Sequence, residues 1–147
     1  MDAKEKNLIK LNAQIESYQS EKFSLSSCIT RAASSLYCLT ILLSNKASDE
    51  DRFACTFFFD CTKNIIYLDD HNTIFGGNRV LNEEVKNLFA EGLSLIRTFL
   101  IEYPSLDFKF IQTTTRVPDK FNILIELGFT QLEQLNHYGN TKFQLDL

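Results

Sequence analysis

The 147-residue chain has no run of eighteen apolar residues, so no segment reads as a membrane span. Its opening, Met1-Asp2-Ala3-Lys4-Glu5-Lys6, carries both charge signs and no apolar secretory core. Basic residues are not in excess: fifteen Lys and Arg against nineteen Asp and Glu leave a formal net charge of −4. Affinity for a nucleic-acid backbone comes from clustered cations, so a general DNA or RNA binder is excluded. There is no CxxC pair. The four cysteines stand at 28, 38, 55 and 61, and His71 and His137 are not spaced as ligands beside them. Zinc sites bring their ligands in close pairs, so no metal is expected and the thiols read as reduced. No local pattern marks a Cys/His nucleophile pair. Repeats and low-complexity linkers are missing too, and a 44% hydrophobic, 23% charged composition is not that of a disordered chain. The expectation is one soluble globular domain, cytoplasmic, without contact with nucleic acid or membrane. A chain this long buries about 70% of its unfolded surface and needs no disulfide staple.

What is present is apolar periodicity. Residues 4–22 place Leu8, Leu11, Ile15 and Tyr18 at three- and four-residue steps among Lys and Glu, which predicts an amphipathic helix. Leu25, Cys28, Ile29 and Ala32 extend helical spacing through the Ser-rich stretch 24–35, where a second short helix is expected. Three strands follow at 36–43, 53–60 and 65–68, antiparallel in type, and then an irregular connection over 69–81 containing Gly76-Gly77. The clearest helix starts at Asn82, a good N-cap, with Glu83 and Glu84 suiting its positive end and Pro104 beyond its last turn. Leu106, Phe108 and Phe110 alternate as a strand. Pro118 opens a helix that Gly128 closes, and 129–136 with 141–147 read as a closing hairpin. The order gives an α+β fold: a mixed, mainly antiparallel sheet flanked by helices, with an N-terminal helix over 1–22 added to a domain over 23–147.

The thirteen phenylalanines, with no tryptophan, raise the question of base stacking. Phe57, Phe59, Phe108 and Phe110 alternate without interleaved cations, so they read as core. Phe58 shares a parity with Thr56 and Asp60 and belongs to the other sheet face, open to a helix or a partner. Cys55 alternates with Phe57, Phe59 and Cys61 and reads as a small buried hydrophobe. The stripe of Leu8, Leu11, Ile15 and Tyr18 needs an apolar surface, either its own sheet or another protein subunit, and makes the first helix the leading candidate for protein binding or self-association.

The element order, together with Asn122-Ile123-Leu124-Ile125-Glu126-Leu127-Gly128-Phe129, resembles the C-terminal half of the GNAT N-acetyltransferase superfamily over Arg79–Leu147. Members carry a helix ending in leucine and then Gly-Phe, and, about forty residues earlier, an Arg/Gln-x-x-Gly-x-Gly/Ala loop opening the central helix. Arg79-Val80-Leu81-Asn82-Glu83-Glu84 falls there in register. Acetyltransferase-like proteins of tailed phages share this kind of weakly preserved loop, which would place the chain in a virion or in host cytoplasm. The resemblance implies that Arg79, Asn82, Glu83, Glu84 and Val85 form the loop that cradles the pyrophosphate of acetyl-CoA on free amides at a positive helix end. It also implies a general base after the third strand, where Asp69, Asp70 and His71 are the candidates, against a plain solvated loop.

Four family positions carry different chemistry here. Asn82 and Glu84 replace the small residues, and Asn82 brings a side chain able to cap the orphan amides itself. A carboxylate ~6 Å from a phosphate charge, at an effective dielectric near 20, costs about 3 kcal/mol, or over a hundredfold in affinity. The tyrosine that many members use as general acid corresponds to Leu124, and the asparagine that often precedes its helix to Val117. Thr113-Thr114-Thr115-Arg116 could hydrogen-bond a ligand in the splay between central strands, or be a strand end leading into a helix. The expectation is a catalytically degenerate GNAT-like module that binds protein, in an assembly or as a regulator, with no cofactor and no metal. The alternatives are an active acetyl-CoA-dependent N-acetyltransferase and a small-ligand sensor.

Overall fold

The computed structural model of the chain describes residues 3–17, 23–45, 48–75, 82–115, 118–134 and 139–147. In chain order they form α1 (Ala3–Ser17), β1 (Phe23–Ala33), β2 (Leu36–Asn45), β3 (Ser48–Asp60), β4 (Ile65–Phe75), α2 (Asn82–Glu102), a 3-10 turn (Pro104–Leu106), β5 (Phe110–Thr115), α3 (Pro118–Glu126), β6 (Thr130–Gln134) and β7 (Thr141–Asp146). The seven strands make one sheet in the order β1-β2-β3-β4-β5-β7-β6. Every neighbouring pair is antiparallel except β4 and β5, which run parallel because α2 carries the chain back across the sheet. This is the mixed, mainly antiparallel α+β architecture that the sequence implies.

Register sorts the side chains. Leu39, Ile41 and Leu43 of β2, Cys55, Phe57 and Phe59 of β3, Ile66 and Leu68 of β4, Ile111 of β5, and Phe143 and Leu145 of β7 are all buried in one core cluster. Leu8, Leu11 and Ile15 of α1, Leu93, Ile96 and Phe99 of α2, and Ile123 and Leu124 of α3 belong to the same cluster. All three helices therefore lie on one face. The opposite face carries the row Cys38, Phe58, Tyr67, Gln112, Gln144 across β2, β3, β4, β5 and β7, and no described helix covers it. Of the coverings open to Phe58, an own helix is ruled out among the described residues, and the side chain is half-buried.

α1 is fixed by polar contacts at both ends as well as by its stripe. Lys4 Nζ donates to Asn64 Oδ1 and to the Cys61 carbonyl in the β3–β4 turn. Ser27 Oγ donates to Asn12 Oδ1 at 2.8 Å, and Gln14 Nε2 to Glu102 Oε2 at 3.3 Å. Leu8, Leu11 and Ile15 are at most 1% exposed. The stripe takes its own sheet, of the two surfaces open to it, so these three residues are not available to a partner; Tyr18 lies outside the described residues.

Three expectations need correction. Residues 24–33 form strand β1: Leu25, Ser27 and Ile29 are half-buried while Ser24, Ser26, Cys28 and Thr30 are exposed, a period of two that the polar residues carry. β4 runs on to Phe75, so Asp69, Asp70 and His71 belong to a strand rather than an irregular connection. Leu106 and Phe108 are buried but not in a strand. Pro104 opens a 3-10 turn, and Asp107 closes it at φ 55° with its N–H bonded to the Pro104 carbonyl. At the end of α3, by contrast, Gly128 does what glycine is suited to. It sits at φ 99°, its N–H bonds to Ile125 O, and Phe129 N–H bonds to Leu124 O, the paired bonds of a Schellman cap.

Candidate functional site

β4 and β5 are paired only from Ile65–Phe110 to Leu68–Thr113. Beyond that β4 stays with β3, through Thr56–Asp69 and, after a register shift, Ala54–Ile74. β5 stays with β7, through Thr114–Lys142 and Thr115–Thr141. The two parallel strands thus part at their carboxyl ends, and α2 and α3 both begin on that side of the sheet. A fork outside the carboxyl ends of parallel strands is where open α/β sheets take ligands.

The crotch of the fork is pinned. Thr113 is 5% exposed, and its Oγ1 donates to the Leu68 carbonyl at 3.0 Å, joining the strands at their last shared step. Thr115 is buried on the same strand, and Thr114 between them is exposed. Their alternation makes the threonine run a true strand end, with one hydroxyl already engaged inside the protein. Asp69 stands first on β4 past the fork, half-buried, opposite Thr56, whose Oγ1 shares a hydrogen bond of 3.3 Å with Thr40 Oγ1. Cys38 lies within electrostatic reach of Asp69 on this uncovered face. Its thiol is pushed up, first by burial and then by Asp69 and Cys28, against a hydrogen bond to Thr40 that lowers it. It is no activated thiolate.

Asp70 and His71 follow Asp69 on β4, and Asn82, Glu83, Glu84 and Val85 form the opening turn of α2; their side chains lie outside the described residues, as do Arg79, Gly76, Gly77, Arg116, Val117 and His137. The structure therefore brings Asp69 to the fork and puts α2 in the place expected of it. Leu124 is different: it is 4% exposed, inside the same core cluster as Ile123, Phe129 and Leu145. The sequence puts Thr56 on the face of Phe58, but the Thr40 hydroxyl that meets it comes from the pairing of β2 with β3, which no local pattern marks. Among the described residues no group of His, Cys, Asp and Glu is arranged to hold a metal ion, and no helix is long and apolar enough to cross a membrane.

All four cysteines are free. Cys55 is 1% exposed and burial alone pushes its thiol above the ordinary value of 9.0. The folded chain holds this proton more tightly than the unfolded one. Its contribution is complete below the unfolded pKa and is lost as pH rises beyond it, by about 1.4 kcal/mol per pH unit. Urea unfolding at about pH 8 and about pH 10 checks this: Cys55→Ala should lose less stability across that interval than the parent chain. Equal losses would reject the assignment.

No family model matches the chain, and no curated protein does. Among solved structures it is similar to the N-terminal domain of a ribosomal-protein-alanine acetyltransferase from Clostridium acetobutylicum ATCC 824, at 14% identity over 87% of this chain and 93% of that one, with a TM-score of 0.45. It is similar to a protein of Sphaerobacter thermophilus DSM 20745 described as an acetyltransferase, at 12% identity over 97% and 89%, with a TM-score of 0.47. A protein of Agrobacterium tumefaciens, described in the same way, gives 14% identity over 100% and 94% and a TM-score of 0.39.

Proposed function

We propose that the chain is a GNAT-like domain that has lost acetyl transfer and acts by binding protein, in an assembly or as a regulator. One observation carries the reading. Leu124, where the resemblance puts the acid that protonates the leaving thiolate, is sealed in the core of α3 and has no proton to give. The sequence adds support with Glu83 and Glu84 at the start of α2, since carboxylates in a first turn favour a positive helix end and would oppose a pyrophosphate there. These residue types weigh against a working acetyl-CoA site.

A calorimetric titration of the full chain with acetyl-CoA tests this. Silence up to about 1 mM ligand, a free energy of only about 4 kcal/mol, is the expected result; saturable micromolar binding would overturn it.

The forked strands favour a second reading, an acetyl-CoA-dependent N-acetyltransferase. Arg79 and the main-chain amides of Asn82 to Val85 would then hold the pyrophosphate, and Asp69, Asp70 or His71 would take the proton from an amine. That reading requires the same titration to saturate, and Arg79→Ala to weaken it. A ligand sensor in the fork has less support, since the Thr113 hydroxyl is already bonded to the Leu68 carbonyl.

A further inference from the structure

The sheet ends in two unlike edges. β6 is five residues long, carries Glu133 and breaks register between Gln131 and Gln134, the usual protections of an edge. β1 has none of these over most of its length. It runs eleven residues, FSLSSCITRAA, with Arg31 its single charge and no proline or lysine. Its inner side is paired with β2 from Phe23 to Arg31 without interruption, and the register shifts only after Arg31. No described strand pairs with its outer side.

We propose that this edge joins a second copy of the chain, β1 to β1, antiparallel about a two-fold axis at Ser27. Any extended peptide could use the open main-chain groups. What singles out a second copy is the self-complementarity of the regular stretch, whose midpoint is Ser27. On the helix-covered side, Leu25 comes opposite the partner's Ile29, and Ile29 opposite the partner's Leu25. Both are half-buried against the core cluster, and the pairing continues that apolar layer across the seam. On the uncovered side, Ser24 meets the partner's Thr30 and Ser26 meets the partner's Cys28, small exposed polar groups that can hydrogen-bond across the strands. No like charges face each other, and every contact off the axis occurs twice, as a two-fold interface requires.

A second element agrees. Ser27 is bonded to Asn12 of α1, and Ile9, three residues earlier and so on the same side of that helix, is 46% exposed. It is an apolar side chain that a partner seated along β1 would cover.

The proposal stands whether or not acetyl-CoA binds, and its test is separate from that titration. Sedimentation velocity of the full chain over a concentration series is expected to show twice the chain mass. The pair Ser26→Lys with Cys28→Lys puts lysine opposite lysine at both places on the exposed face, and should weaken the dimer by roughly tenfold. Mixing that chain with one carrying Ser26→Glu and Cys28→Glu should restore dimers of mixed composition. A parent chain that stays at one chain mass overturns the proposal; so does a lysine pair that dimerises as well as the parent, or a mixture that stays monomeric.

Discussion

Leu11→Asp is expected to leave a chain that is unfolded, or close to it, in the absence of denaturant. Leu11 is fully buried between Leu8 and Ile15 on the inner side of α1. A carboxylate there loses about 2–3 kcal/mol of side-chain burial and adds the cost of an unpaired charge in the core, itself about 3–5 kcal/mol. The sum is comparable with the whole stability of an ordinary domain, about 5–15 kcal/mol. Ala13→Asp, two residues along on the exposed side, should cost only its helix propensity, about 0.5 kcal/mol. Urea unfolding followed by circular dichroism separates the two. If α1 were a docking stripe held away from its own sheet, both substitutions would be mild, and Leu11→Asp within about 1 kcal/mol of the parent chain would mean that α1 is not part of this core.

Alternation and helical spacing were enough to place most elements, because those patterns are set by which side of a segment must be dry. The sequence of β3 shows it: Cys55, Phe57 and Phe59 are at most 1% exposed, and Phe58 between them is on the other face. β1 defeated the same reasoning. Leu25 and Ile29 are four residues apart, a spacing that serves one helix face and one strand face alike. The serines decide it, since Ser24 and Ser26 alternate with Leu25 and Ser27, and β1 gains its bonds from β2, to which a two-residue turn at Ser34-Ser35 returns it. Leu106 and Phe108 misled in the opposite way: alternating burial held, but the left-handed Asp107 made it with a turn.

The site was legible only in part for a different reason. Its chemistry depends on how strands pair beyond Leu68 and Thr113, and pairing between segments more than forty residues apart has no local signature in either. The fork, and the Thr113 hydroxyl that closes it, come from long-range register. That Leu124 is apolar could be read directly. That it is buried, so that no rotamer could lend the position to chemistry, needed the helix packed against the sheet.

Phe57→Ala is expected to cost about 3–5 kcal/mol, and Phe58→Ala markedly less, although the two are neighbours in one strand. Phe57 has no exposed surface and stands in register between Leu39 and Leu68, in the middle of the layer that all three helices cover. Truncation there leaves a cavity that strands on either side cannot close without breaking their pairing. Phe58 stands between Cys38 and Tyr67 on the face that no described helix covers, and it is half-buried. Removing it exposes side chains that can still be wetted, so the loss is area without a cavity. The difference between the two, read from urea midpoints at constant slope, measures how one-sided the fold is. Equal losses would mean that Phe58 is sealed as tightly as Phe57, and that something packs on the face opposite the helices.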